Sequence, residues 1–373
     1  MGYLFFFIYL GIFCWLLYRI KFIRETGLSQ KIIVGLFLIR IIAGCINGYI
    51  NLYYYPVSDI STYHNDGIAE YHLLFNDPKE YFSNIFKYNN SFTAFLDITD
   101  SFWNNLRSDL IIKMLSIFNI FSRGNFFINT IFFNFLVFFG SVSLNKVFIS
   151  IFPFKKKLLL LSLFLLPSFI YFTGGIHRDG LIFLGLGIFI YNVFFLLRTK
   201  TLLVRRLFFV ATGIAIIFLL RNFVLVALIP AAAAWIITEK NKKNALFFFI
   251  GIYLVFLALF FGSRYLHPSL DLPNYVSERQ IAYVEIAKQS SSSININPLF
   301  PNFRSFLNNA PQALNHALMR PYLTEKFTWP FIPASLEIFL YEMIFLLFLF
   351  FRKRDKINIA PFIYFCVFFS LSM

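Results

Sequence analysis

An all-α, polytopic integral membrane protein is the fold class that this sequence of 373 residues predicts, and three observations carry it. The first is composition: 59% of residues are hydrophobic and only 14% charged, with 55 Phe and 20 Tyr. A soluble chain of this size cannot cover so much apolar surface, so lipid must be the solvent for most of it. The second is the grouping of apolar residues into ten runs of little or no charge, near 3–18, 32–50, 126–151, 158–173, 181–197, 207–220, 223–237, 245–261, 331–351 and 359–373. A spanning helix needs roughly 17–25 such residues, and several runs fall short of that. The third is where the charges lie. With each run crossing once and 21–31 in the cytoplasm, the segments 21–31, 153–157, 198–206, 238–244 and 352–358 hold 17 basic residues against three acidic ones, while the outer segments hold 13 of each. This is the positive-inside bias. It explains the net charge of +15 and removes the reason to expect nucleic acid as a partner.

About ten transmembrane helices in one membrane domain, residues 1–373, are therefore expected, with the N-terminus outside. The first run has no basic residue ahead of it and no small-residue cleavage site behind it, which favours a span over a cleaved signal peptide. The second run carries Arg40 near its middle, and 331–351 carries Glu342; a buried Arg–Glu pair is the simplest expectation for two intramembrane charges. Lys146, near the inner end of 126–151, is expected to snorkel. Two extracytoplasmic loops are long. The acidic loop 51–125 opens on Ser58-Asp59-Ile60-Ser61-Thr62-Tyr63-His64-Asn65-Asp66-Gly67. The loop 262–330 holds Arg264, His267, Arg304, His316, Arg320, a serine run at 290–293 and a candidate capping box, Ser277 with Gln280, for a helix near 277–288.

The short outer turns concentrate chemistry. Gly174-Gly175-Ile176-His177-Arg178-Asp179-Gly180 joins the fourth and fifth runs; paired glycines suit a left-handed helix end and Asp179 suits a cap for the next helix. Arg221-Asn222 interrupts the stretch 207–237. Read as a hairpin, it keeps the charge rule intact, but arms of about 14–15 residues span only about 21–23 Å against a hydrocarbon core of about 30 Å. Arg221 should then lie below the outer surface, facing a wet cavity, with His177 and Arg178 at similar depth. Guanidinium groups hold phosphate oxygens in pairs, so these three residues make a candidate anion site. Cys14, Cys45 and Cys366 fit no zinc spacing. There is no G-x-x-x-x-G-K-[ST], H-E-x-x-H or G-x-S-x-G motif, so a nucleotide-driven pump and the commonest zinc-protease and serine-hydrolase sites have no support.

The order of these features resembles the multispanning GT-C glycosyltransferases of bacterial membranes, which take sugars from polyprenyl-phosphate carriers. The run 32–50 leads into Asp59 and Tyr63-His64-Asn65-Asp66-Gly67, as an early helix of that family leads into an acidic outer loop. Leu165-Leu166-Pro167-Ser168-Phe169-Ile170-Tyr171-Phe172-Thr173-Gly174-Gly175 followed by His177-Arg178-Asp179-Gly180 is similar to a later helix and polar turn of the family. The extra helix over 1–20 departs from it, as does the expectation of membrane helix where some members carry a soluble C-terminal domain. The resemblance, which covers residues 32–240, implies a transferase of the bacterial inner membrane acting at its outer face, with a polyprenyl-phosphate-linked sugar, a glycan acceptor and membrane lipid as partners. It implies a base on the acidic loop, Asp66 first and Asp59 second, with His64 a weaker candidate; His177, Arg178 and Arg221 would bind the donor phosphate. No cofactor is required, and a divalent cation is the one left open. Two other expectations stand beside it: a polymerase or ligase of lipid-linked glycans using the arginines of 262–330, and a non-enzymatic flippase that needs the cationic cavity but no base.

Overall fold

The structure, a computed structural model, describes residues 2–55, 58–84, 102–199, 201–239, 244–266, 270–288, 294–325, 331–351 and 360–373. His267, the serine run 290–293, the basic segment 352–358 and parts of the segments 51–125, 198–206 and 238–244 lie outside them. The described residues are helical throughout their regular structure. In chain order the helices are α1 (Gly2–Arg19), α2 (Lys21–Arg24), α3 (Gln30–Tyr53), α4 (Asp59–Asn76), α5 (Pro78–Ser83), α6 (Phe102–Ser122), α7 (Phe126–Ile151) and α8 (Lys156–Phe164). Then follow α9 (Pro167–Gly174), α10 (Arg178–Thr199), α11 (Leu203–Thr238), α12 (Ala245–Leu266), α13 (Leu272–Lys288), α14 (Phe303–Met319), α15 (Phe331–Phe351) and α16 (Ala360–Ser372).

Seven of these, α1, α3, α7, α10, α11, α12 and most of α15, are long and apolar enough to cross a membrane, and α8 with α9 makes an eighth if the bent pair is one span. The chain is thus a multi-pass membrane protein. Large apolar side chains such as Phe7, Trp15, Leu254, Phe345 and Phe348 stand exposed along α1, α12 and α15, a surface suited to lipid and not to water. Every one of the ten apolar runs falls on helix, yet the number of qualifying spans is lower, for three local reasons. The run 158–173 breaks at Leu165–Leu166, ahead of Pro167, and bends by 46°; proline at the first position of α9 is compatible with a new helix but not with continuation of the old one. The stretch 207–237 lies in α11, two helical arms that meet at a kink at Arg221 (φ −150°, ψ 85°) and count together as one candidate span. The last run forms only the 13 residues of α16.

Two compact units divide the chain, one comprising Met1–Asn89 with Trp103–Leu225, the other comprising Val226–Met373. The first unit is built around α7, which is buried on nearly all sides and packs against α10, α3, α8 and α1. One apolar layer, including Leu17, Phe37, Phe138, Val142 and Phe164, fills the space between α1, α3, α7 and α8. A second, including Ile60, Tyr63, Leu115, Phe133, Ile182 and Leu220, lies between α4, α6, α7, α10 and the first arm of α11. In the second unit Trp235 packs on Phe362 and Phe365, and Phe249 and Tyr253 of α12 pack on Phe368 of α16.

The centre of the first unit explains Arg40. Its partner is not the Glu342 that the sequence suggests. Its guanidinium donates from Nη2 to the Thr173 carbonyl at 2.7 Å and to Thr173 Oγ1 at 2.9 Å, while Asn134 Nδ2 donates to the Gly174 carbonyl at 2.8 Å. The last carbonyls of a helix have no partner within it, and α9 ends inside the bundle where water cannot supply one. A cation at that end also meets the negative pole of the helix. The paired glycines likewise play a part other than the expected left-handed turn: Gly175 is extended (φ −67°, ψ 154°). Side chains are excluded here because Gly44 lies directly on the Gly174 carbonyl and Gly175 directly on the Asn47 amide.

Candidate functional site

The ionisable residues of two segments distant in sequence meet where α3 leads into α4 and α9 leads into α10. Local sequence fixes each. Ser58 Oγ accepts from Ser61 N at 3.2 Å while Ser61 Oγ accepts from Ser58 N at 3.1 Å, a reciprocal cap that starts α4 at Asp59 and places that carboxylate in the favourable first turn. One turn further, Tyr63 is buried in the apolar layer below. Its hydroxyl emerges to accept from Arg178 Nε at 2.7 Å. Arg178 opens α10, and the contact of Gly175 with Asn47, six residues before the end of α3, sets the turn below that end, by about 9 Å at 1.5 Å per residue.

The ion pairs form one chain. Arg178 Nη2 lies 3.7 Å and His177 Nε2 3.8 Å from Asp59 Oδ2. His177 Nδ1 is 3.1 Å from Asp179 Oδ2, and Arg221 Nη2 is 3.1 Å from Asp179 Oδ1. Arg221 is the residue at which α11 leaves helical geometry, so the break falls where the guanidinium meets the cluster. His177 and Arg178 are about a quarter exposed, Asp59 nearly two-thirds, so the carboxylate is open to a ligand while the cations are half withdrawn. The hydrogen bond to His177 holds the Asp59 carboxyl below its usual range, against the opposing effect of burial, with Arg178 and Arg221 adding to the effect. Burial alone would lower the pKa of His177, but its bonds to Asp179 and Asp59 outweigh that and raise it above the ordinary imidazole value. With His177 protonated, two arginines and the imidazolium face two carboxylates. The surplus is one positive charge.

Four sequence-predicted residues, Asp59, His177, Arg178 and Arg221, are therefore brought together. Asp66 is not in the cluster. It lies seven residues beyond Asp59, on the same face of α4, exposed and without a side-chain partner among the described residues. His64 turns away, its ring edge against Phe126 at 5.4 Å, and burial depresses its pKa. Two members of the site escaped the sequence reading. Tyr63 stands within the polar segment 58–67 with nothing to single it out, and only its position one helical turn from Asp59 links it to the acid. Asp179 reads as a cap, yet its carboxylate joins His177 to Arg221. Among the described residues no group of three or more His, Cys, Asp or Glu side chains is arranged to hold a metal ion.

Two arginines of 262–330 are tied to neighbours within that segment. Arg264 donates to the Pro301 carbonyl at 2.5 Å and lies 4.0 Å from Asp271, and Arg320 pairs with Glu325 at 2.8 Å. The expected Ser277–Gln280 capping box is replaced by a helix start at Asp271, whose Oδ1 accepts from Asn274 N at 3.0 Å. Ser277 instead donates to the Pro273 carbonyl, and Gln280 ties α13 to the strand-free segment at Asn297 and Leu299. Comparison of the chain with protein-family profiles, curated proteins and solved structures finds no match.

Proposed function

We propose that this protein is a membrane glycosyltransferase that moves a sugar from a polyprenyl-phosphate donor to a glycan or lipid-linked acceptor. The observation that carries the reading is the single ion-paired chain from Arg178 through Asp59, His177 and Asp179 to Arg221. A sugar phosphodiester bears one negative charge, which matches the one surplus positive charge of the cluster. In the reaction the bond between the anomeric carbon and the phosphate oxygen breaks with its electrons going to the phosphate, whose charge grows. The acceptor oxygen bonds to the same carbon and loses its proton to a base. Fixed cations stabilise the growing charge of the departing phosphate. We assign that role to Arg178, Arg221 and His177, with His177 protonating the phosphate as it leaves.

The base belongs on the far side of the sugar. Carboxylates that act on opposite faces of a sugar ring stand about 6.5–9.5 Å apart. Asp59, beside Arg178, is too close to the phosphate site and, with its proton affinity depressed, is a weak base. Asp66 is displaced from it by about 10 Å along α4 and has no competing partner. We therefore assign Asp66 as base and Asp59 as the anchor of His177 and Arg178. The test is transfer from a radiolabelled polyprenyl-phosphate sugar by the purified protein in proteoliposomes. Asp66→Asn should lower turnover by about 100-fold or more with donor affinity unchanged. Release of no polyprenyl phosphate by the wild type would sink the transferase reading in favour of a carrier. Accumulation of single repeat units in deletion cells would favour a polymerase.

A further inference from the structure

At the other end of the first unit, where α1 leads into α2, α7 ends and α10 turns into α11, a cavity of about 710 Å³ opens between these helices. Its walls are mainly apolar, with Phe22, Phe139, Leu184, Ile188 and Phe209 among them. Its charged lining is one-sided: Lys21, Lys146, Arg205 and Arg206 against Glu25 alone. Lys146 is the built part of the site. Its side chain is only 10% exposed, its ammonium sits 4.0 Å from the centre of the Phe22 ring, and its carboxylate partner, Glu25 at 3.8 Å, is shared with Lys21. Arg206 is oriented by the Thr201 carbonyl, at 2.9 Å from Nε, and by the Tyr191 hydroxyl. Arg205 projects beside Phe209.

Four cations sharing one acid leave a surplus of three positive charges beside an apolar chamber. This is more than snorkelling requires, since a snorkelling Lys or Arg needs only water or headgroups and no enclosed wall. The combination has the polarity of one amphiphile with an anionic head. Basic pockets between membrane helices at the positively biased face are where anionic phospholipids are held, and this cavity lies among the segments 21–31 and 198–206 that carry that bias. We propose that the cavity binds an anionic membrane phospholipid, its phosphodiester among Arg205, Arg206, Lys21 and Lys146 and one acyl chain along Phe139, Ile188 and Phe209. The site is independent of the transferase reading, because it shares no residue with the ion-paired cluster.

The experiment is native mass spectrometry of the full chain, delipidated and titrated with phosphatidylglycerol or phosphatidylcholine. The wild type should retain phosphatidylglycerol preferentially. Replacing both arginines, Arg205→Gln with Arg206→Gln, should weaken that binding about thirtyfold, the effect of two interfacial cations. Because Arg206 also holds Thr201, a second variant tests the chamber itself: Ile188→Trp leaves every cation in place and fills the space for the chain, and should weaken binding about tenfold or more. Equal retention of the two lipids by the wild type, or unchanged phosphatidylglycerol binding in the folded Ile188→Trp variant, would overturn the proposal. Displacement of the lipid by glycerol 3-phosphate at equal concentration would also overturn it, because the site would then read the phosphate without the chain.

Discussion

Asp59 and His177 are each defined by the other, and the pH dependence of donor binding should show it. The raised pKa of His177 keeps it protonated above its ordinary value of 6.5, and the lowered pKa of Asp59 keeps it ionised below its ordinary 3.8. The cluster therefore holds its full charge set across the interval between these values and loses a positive charge as pH rises through the elevated pKa of His177. Donor affinity, measured by isothermal titration of the detergent-solubilised protein, should be level in the mildly acid range and decline on the alkaline side of 6.5. Asp59→Asn removes one of the two carboxylates that hold the imidazolium, so the decline should move to lower pH. A decline at the same pH in both proteins would mean that Asp59 does not control His177. The second residue-scale expectation concerns Tyr63→Phe, which deletes the acceptor of the Arg178 Nε bond. It should weaken donor binding by a few-fold, about 1 kcal/mol for one such hydrogen bond, without moving the pH profile.

Elements were legible in the sequence where one dimension suffices. Apolar length located the seven helices long enough to cross, and Arg221 marked the kink in α11, because both signals belong to a single segment; the break at Pro167 was not marked, since 158–173 reads as one continuous apolar run. What joins segments was not legible. Arg40 and Glu342 are each conspicuous as intramembrane charges, so they invite pairing, but the need that Arg40 meets is a backbone carbonyl at Thr173, and no side-chain pattern records where a helix will end inside a bundle. The same holds for Gly174 and Gly175, whose glycine character follows from the approach of α3 and not from a turn. This gives an element-scale prediction. Gly44→Ala places a methyl group against the Gly174 carbonyl, with Asn134 Nδ2 and the Thr130 methyl each 2.8 Å away, and overpacking of this kind costs about 1–3 kcal/mol. Thermal unfolding in detergent should register that loss, and donor affinity should fall with it because α9 carries the His177–Arg178 turn. Arg40→Met should be comparably destabilising, and Arg40→Lys should restore only part of the loss, since one ammonium reaches Thr173 without the guanidinium's geometry. Full stability in Arg40→Met would show that the end of α9 is satisfied by other means.

At the scale of the whole molecule, α10 is the axis on which the two charged regions are ordered. Arg178 opens it at the ion-paired cluster, and Leu184, Ile188, Tyr191 and Asn192 line the cavity nearer its other end. Twenty-two helical residues at 1.5 Å each make about 33 Å, the thickness of a hydrocarbon core. The positive-inside bias predicts the orientation of this axis, with Arg205 and Arg206 expected at the cytoplasmic face and Arg178 at the outer one. Single cysteines placed at 178 and at 205, in a chain whose Cys14, Cys45 and Cys366 are replaced by alanine, convert the orientation into a measurement. A membrane-impermeant maleimide should label position 178 in intact cells and position 205 only after the membrane is opened. Labelling should be slower at 178 than at an exposed control such as position 66 on α4, because the turn lies below the end of α3 and its side chain is largely withdrawn. The reverse sidedness would place the Asp59 cluster in the cytoplasm, where soluble activated sugars are within reach, and the lipid-linked donor would no longer be the chemistry that this cluster calls for.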